Sequence, residues 1–184
     1  MDRCWLGLGM GLSLAADFRE RAKPQPFAAP GLVADLLLGA KLGDSYATGI
    51  GVRGGWYAPL DFDLELARGQ TERAKHNQLV QGTVYWFHQL DGWRFALGPH
   101  LSWMVSDSDH IHRDPLFGAE LSVAARLARS PVTAGWRNNV WIGSMASHTI
   151  AASNDDQDGA RETILKLALS FELDSASDPS KPAE

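Results

Sequence analysis

Two histidine-containing stretches have residue types that could do chemistry. His148 ends one alternating segment and Glu162 begins the next, so a hairpin would bring an imidazole and a carboxylate together. Acyl transfer also needs a hydroxyl or thiol beside the base. In an extended chain Ser147 and Thr149 point to the face opposite His148. The next residue on the same face as His148 is Ile150, which has no nucleophile. We therefore predict no complete catalytic site. A hydroxyl within about 3.2 Å of one His148 nitrogen, with Glu162 on the other, would mark one.

The second stretch is a His-x-His motif flanked by carboxylates. Imidazole and carboxylate groups are suitable ligands for Zn²⁺ and similar ions. The candidate ligands are Asp109, His110, His112 and Asp114. The same composition is typical of a polar surface loop, and we predict no cofactor for the chain.

The element that must position these residues is an alternating strand over residues 93–105. Its odd positions are apolar, whereas its even positions are small, polar or charged. A period of two over this length indicates an extended strand whose two faces meet different media. At roughly 3.3 Å per residue such a strand is about 40 Å long, which suits a tilted transmembrane β-strand better than a soluble one. Trp93 and Trp103 occupy positions near its ends, where transmembrane strands carry aromatic residues.

Similar alternation recurs along the chain and predicts eight strands. Asp91-Gly92 is a tight hairpin signal, and Pro59 predicts a turn because proline cannot donate to a ladder. The predicted strands cover residues 32–42, 46–57, 62–68, 78–90, 93–105, 117–127, 133–148 and 163–173. Counted back from the C-terminus, long and short connections alternate, except at the first hairpin. Short turns on one side and longer loops on the other are typical of transmembrane barrels with an even strand number.

The N-terminal segment has two interpretations. A basic start, an apolar run and a small-x-small site predict a signal peptide over residues 1–16, followed by a proline-rich leader over 17–30. Alternation of leucine with glycine and serine predicts a strand instead. We prefer the signal peptide because a ninth strand would give the wrong parity. The barrel domain is then 31–173, and composition predicts a disordered tail over 174–184.

The composition of the polar face indicates whether that face lies inside or outside the barrel. It carries many glycines and nearly balanced charges, as a narrow interior with buried ion pairs requires. We predict an all-β, up-and-down antiparallel eight-stranded transmembrane β-barrel; a soluble lipocalin-like barrel is the alternative. We expect five charged residues to lie inside the barrel as one connected polar core: Arg94, Glu120, Arg126, Arg137 and Lys166. The expected outward residues are Leu97, Leu101, Leu121, Val123, Leu165, Leu167 and Leu169.

This pattern resembles the small eight-stranded outer-membrane proteins of the OmpA-barrel, OmpX and lipid A deacylase types. The resemblance implies a bacterial outer-membrane location with both termini periplasmic. It implies lipid and lipopolysaccharide as partners, with a protein or surface ligand at the outer loops. Lipid A deacylases have a His-x-Ser on the seventh strand, where this chain has His148 and Ile150. We expect a structural or interaction barrel, with a lipid A acyl hydrolase centred on His148 and Glu162 as the alternative. The net charge of −5 and the absence of a Lys/Arg cluster argue against nucleic acid.

Overall fold

The computed structural model of the chain describes residues 3–19, 28–42, 45–65, 71–106, 115–151 and 161–175. Eight β-strands account for nearly all of them. They are Arg3–Arg19 (β1), Ala28–Leu42 (β2), Tyr46–Glu65 (β3), Thr71–Leu90 (β4), Trp93–Val105 (β5), Leu116–Arg129 (β6), Trp136–Ala151 (β7) and Arg161–Ser175 (β8). No helix in these segments is long and apolar enough to cross a membrane.

The strands form a closed barrel in which each is antiparallel to its sequence neighbours. The first and last strands pair with each other over a long register that includes Leu12 with Leu169. The strand ends joined by residues 43–45, 91–92 and 130–135 lie at one end of the barrel. The first residues of β1 and the last residues of β8 lie at the same end. The connections at 20–27, 66–70, 106–115 and 152–160 lie at the other. We call these the short-turn end and the long-connection end.

Side chains alternate between an outward apolar face and an inward face on every strand. Exposed large apolar side chains occur on all eight strands, Met10 on β1 and Phe171 on β8 being 72% and 62% exposed. The outward prediction is confirmed for its six leucines, Leu97, Leu101, Leu121, Leu165, Leu167 and Leu169. Val123 is half-buried. The polar face, which carries the charged side chains, therefore lines the inside of the barrel.

The N-terminal segment differs from the prediction. Residues Arg3–Arg19 form β1 and pair with both β2 and β8, where a signal peptide over 1–16 and a leader over 17–30 were predicted. The reason is visible in its two faces. Leu8 and Leu12 point outward, while Trp5 and Ser13 are buried inside. A short apolar run rich in glycine satisfies both a signal peptide and a barrel strand, so the pattern alone does not separate them.

The predicted turn at Pro59 also differs, because β3 continues through it to Glu65. Register shifts between β3 and β4 occur at Tyr57/Leu60 and at Leu60/Phe62. A bulge is where a strand tolerates a residue that has no backbone N–H. Two predicted strands thus merge into β3 while β1 is added, so the count stays at eight. Short and long connections then alternate, except that 66–70, with five residues, is shorter than 130–135, with six.

The last strand ends two residues later than predicted, at Ser175 instead of residue 173. The predicted tail began at Asp174, but β8 extends to Ser175, and Asp174 is buried inside the barrel. The two-residue period through Lys166 and Glu172 continues to Asp174, so the sequence pattern already indicated that Asp174 is an inward residue of the strand.

Glycines in β2 and β3 make room for inward tyrosines. A Cβ built on Gly51 would lie 2.3 Å from Cζ of Tyr85, and one on Gly31 would lie 2.2 Å from Cδ1 of Tyr57. Both tyrosine rings are buried. These glycines are therefore required by packing inside a narrow barrel rather than by backbone conformation.

Candidate functional site: the polar interior

A chain of ion pairs crosses the middle of the barrel interior. Arg53 Nε donates to Asp35 Oδ1 at 2.8 Å, and its Nη1 donates to Glu120 Oε1 at 3.0 Å. The Tyr85 hydroxyl donates to the same Asp35 oxygen at 2.7 Å. Glu120 also accepts a hydrogen bond from the Lys166 ammonium. Four charges from β2, β3, β6 and β8 are thus held together in alternating sign.

Neutral polar groups extend this central network toward β4 and β5. Lys166 donates to Gln81 Oε1 at 2.9 Å. His100 Nδ1 lies 2.7 Å from the Thr83 hydroxyl and 3.5 Å from Glu120 Oε2. His100 is therefore part of the buried polar network.

A second ion pair lies nearer the short-turn end. Arg94 makes two hydrogen bonds to Glu172, at 2.6 and 2.9 Å, and a third to Gln89 Oε1 at 2.8 Å. Its guanidinium carbon is 4.3 Å from the centroid of the Trp141 ring, a distance at which cation–π attraction is significant. Trp5 contributes a further ring at 5.7 Å. An aromatic cage thus surrounds this arginine.

The interior toward the long-connection end is apolar. Buried side chains from seven of the strands form one cluster there: Ala15, Ala29, Val33, Tyr57, Leu79, Met104, Met145, Ile164 and Ala168. A cavity of about 30 Å³ lies between this cluster and the two ion-pair groups, and it is large enough for about one water molecule. The described part of the lumen is filled with side chains.

The predicted interior charges divide into two groups. Arg94, Glu120 and Lys166 are buried inside the barrel, which confirms their predicted position, although Arg94 and Glu120 belong to separate networks. Arg126 and Arg137 are half-buried near the short-turn end, where Arg126 N donates to the Gly92 carbonyl at 2.7 Å.

Other interior residues were missed by sequence reasoning. Trp5 had been placed in the signal peptide and Asp174 in the tail. Tyr85 lies in a stretch of three consecutive aromatic residues, which hides the two-residue period. In the structure Trp5 Nε1 donates to Asp174 Oδ2 at 3.3 Å, and Lys41 Nζ lies 3.4 Å from the same oxygen.

His148 lies on the outward face near the long-connection end and shares a 2.9 Å hydrogen bond between its Nδ1 and the Thr163 hydroxyl. Thr163 is also its register partner across β7 and β8, whereas Glu162 is the partner of Thr149. Thr149 is buried on the inward face. The Glu162 side chain lies outside the described part of the structure. A hydroxyl beside the imidazole is therefore present, and it comes from Thr163, which sequence reasoning had not considered.

The predicted metal ligands Asp109, His110, His112 and Asp114 lie outside the described residues. Within the described segments, no group of three or more His, Cys, Asp or Glu side chains could hold a metal ion.

Comparison with known proteins identifies the architecture. No protein-family profile and no curated protein sequence matches the chain. Among solved structures, the outer membrane protein OprG from Pseudomonas aeruginosa aligns over 95% of this chain and 96% of its own, with 8% identity and a TM-score of 0.50. Neisserial surface protein A covers 94% and 97% at 12% identity and a TM-score of 0.49. Ail of Yersinia pestis covers 91% and 97% at 7% identity and a TM-score of 0.47.

The fold is therefore that of the small eight-stranded outer-membrane β-barrels, an all-β, closed, antiparallel up-and-down barrel. The resemblance noted from the sequence is confirmed at the level of the fold. The structures it matches come from bacterial outer-membrane proteins.

Proposed function

We propose that this protein is a bacterial outer-membrane barrel with a closed interior, which acts through the connections at its long-connection end. The observation that carries this proposal is the inversion of the two faces. Large apolar side chains are exposed on the outside of all eight strands, while Arg53, Glu120 and Lys166 pair inside. A soluble binding barrel places its apolar face inward. The lipocalin-like alternative therefore has no support.

Aromatic residues near both ends of the outward face support a membrane-spanning belt. Trp93 and Trp103 lie toward opposite ends of β5 and are 51% and 50% exposed. Such aromatic girdles mark the two interfaces of a transmembrane barrel. Acyl chains would contact the belt between them, and lipopolysaccharide would contact its outer edge.

The lengths of the connections support an orientation. Outer-membrane barrels have short periplasmic turns and longer extracellular loops. We infer that the short-turn end, together with the ends of β1 and β8, faces the periplasm. The segments 20–27, 66–70, 106–115 and 152–160 would then face outward and supply a surface for a protein or another surface ligand.

The filled lumen favours a structural or interaction role over solute transport. An eight-stranded barrel leaves an interior that side chains can fill, and here the cavity beside the central network measures only about 30 Å³. A porin-like function would require a continuous aqueous path past the central network and the apolar cluster.

The test combines location, fold and conductance. We expect the protein to fractionate with the outer membrane and to migrate faster on gels before heating than after it. In planar bilayers we expect no open channel above the leak of protein-free membranes. Protease added to whole cells should cut in segments 106–115 or 152–160 and not in 91–92. Recovery in the soluble periplasmic fraction, or steady conductance, would contradict the proposal.

A lipid acyl hydrolase is the second candidate, and one contact favours it. The Thr163 hydroxyl and His148 Nδ1 are 2.9 Å apart on the outward face, the geometry of a nucleophile and its base. Purified protein incubated with lipopolysaccharide would release fatty acid if this pair were active. Release that stops in both His148→Ala and Thr163→Val would establish the hydrolase; no release would leave the pair as a structural hydrogen bond.

A further inference from the structure

The interior at the short-turn end carries more positive than negative charge. Of the cations there, Arg94 is paired with Glu172 and Lys41 with Asp174. Arg126 and Arg137 make no ion pair with a carboxylate in the described part of the chain. Arg126 is close enough to Asp174 and Glu172 to be attracted by both carboxylates, and close enough to Arg137 and Arg94 to be repelled by both guanidinium groups. A further cation, Arg129, is exposed at the same end as the register partner of Asn139.

Buried hydrogen-bond donors line the same end of the barrel. Arg137, Asn139 and Trp141 occupy three successive inward positions of β7, so they lie roughly 7 Å apart along one face. Arg137 Nη1, Asn139 Nδ2 and Trp141 Nε1 are buried, and none has a hydrogen-bond partner among the described residues. Asn139 and Trp141 are only 1% and 2% exposed. A buried donor of this kind destabilises the fold unless a partner satisfies it.

The side chain of Trp141 connects the charges and the donors. Its ring lies 5.6 Å from the Arg126 guanidinium carbon and 4.3 Å from that of Arg94. Arg94 and Arg126 thus both face the Trp141 ring, at the same end of the barrel as Asn139 and Arg137. We call the set Arg126, Arg137, Asn139 and Trp141 the basic mouth.

We propose that the basic mouth binds an oxyanion, a carboxylate or a phosphate group, that enters the barrel from the short-turn end. Guanidinium groups bind such groups through paired, charge-assisted hydrogen bonds. An indole N–H has only a donor to offer, which suits an acceptor that carries negative charge. Water alone would satisfy the donors but would leave Arg126 and Arg137 without a carboxylate in direct contact, in a partly buried site. The proposal does not depend on which end faces the periplasm.

Two sources could provide the oxyanion. One is a free anion or a charged group of another molecule. The other is the chain itself, because Asp178 and Glu184 follow β8, which ends beside the basic mouth. The experiment must therefore measure binding with and without these carboxylates.

The test uses the full chain folded in non-ionic detergent, with inorganic phosphate and acetate as probes. Binding is measured by calorimetry and by Trp fluorescence at constant ionic strength. We expect saturable binding of at least one probe, weakened about tenfold in Arg137→Gln and in Arg126→Gln, and several-fold in Trp141→Phe. The matched control is Arg161→Gln, which removes the same charge at the long-connection end and should leave the affinity within about twofold.

Folding of each variant is first checked by its heat-modifiable migration. If Arg137→Gln does not fold, Arg126→Gln carries the test because its side chain is half-exposed. In Asp178→Asn/Glu184→Gln, tighter binding of the probe would show that the chain's own carboxylates compete for the basic mouth, and an unchanged affinity would assign the site to a free anion. The proposal is overturned if neither probe binds to the wild type or to this double variant, or if Arg161→Gln weakens binding as much as Arg137→Gln.

Discussion

Glu120 is the residue on which the central network depends. It accepts hydrogen bonds from Arg53 and from Lys166, which come from opposite sides of the barrel. Its side chain is only 2% exposed, so water cannot replace it. One carboxylate thus compensates two buried cations.

We expect Glu120→Gln to lower the free energy of unfolding by about 3–5 kcal/mol, because it leaves buried positive charge without its partner. Urea titration of the protein folded in lipid vesicles would measure the loss. Asp91→Asn, at an exposed turn position, is the control and should change stability by less than about 0.5 kcal/mol. Adding Lys166→Met to Glu120→Gln should recover part of the loss. Equal stability of Glu120→Gln and wild type would contradict the role of this carboxylate.

Two glycines on β3 and β4 offer a matched pair for packing. A Cβ on Gly51 would overlap the Tyr85 ring, whereas one on Gly82 meets nothing within 4 Å. We expect Gly51→Ala to destabilise by about 1–3 kcal/mol through overpacking. Gly82→Ala should be neutral within about 0.5 kcal/mol. The same urea titration separates them, and equal values for the two variants would show that the interior yields to the added methyl group.

At the scale of the element, β1 is what closes the barrel. Without Arg3–Arg19, β2 and β8 would each present an unpaired edge, which is a site for aggregation. β1 supplies a full register to both neighbours. Its inward Trp5 also contributes to the cage around Arg94.

We therefore predict that the mature protein retains β1. Mass spectrometry of protein purified from the outer membrane should recover peptides that cover Arg3–Arg19. A chain that starts at residue 20 should not form a heat-modifiable barrel under conditions in which the full chain does. A mature N-terminus after residue 16, with a folded barrel, would support the signal peptide instead.

The strands show how far a sequence can predict this fold. Long alternation, as in β5, determined the strand, its outward face and the class of barrel without any structural information. The sequence did not determine where β3 ends, because Pro59 is compatible with a turn and with a bulge. Nor could it separate β1 from a signal peptide, since Leu-Gly alternation satisfies both. The ion pairs were predicted as a set, but partners such as Arg53 with Glu120 depend on barrel closure and strand tilt.

The candidate sites were less predictable for a different reason. His148 and Glu162 were chosen because a hairpin brings them near each other, yet a single residue of register decides which face each position occupies. In the observed register His148 is opposite Thr163. The basic mouth was not predicted because Trp141 and Asn139 become donors without partners only when the barrel surrounds them.

For the whole molecule, the outward belt sets how the barrel sits in a bilayer. Leu167 and Leu173 both point outward from β8, the first near the middle of the strand and the second close to the short-turn end. We expect Leu167→Lys to cost about 2–4 kcal/mol and Leu173→Lys about 0–1 kcal/mol, because the penalty for a charge falls toward the interface. Unfolding in phosphatidylcholine vesicles would measure both. Equal costs would place the membrane centre elsewhere on the barrel.

The pairing of β1 with β8 also constrains the order of folding. Leu8 pairs with Leu173 and Leu14 with Leu167, so segments that are far apart along the chain must meet before the sheet has no free edge. Bringing such distant segments together carries a large loop-closure entropy, and non-local pairing slows folding. The barrel cannot close before β8 has been synthesised. Until β8 pairs with it, β1 presents an unpaired edge that has to be shielded from other chains. The longer the barrel stays unclosed, the less protein reaches its native form.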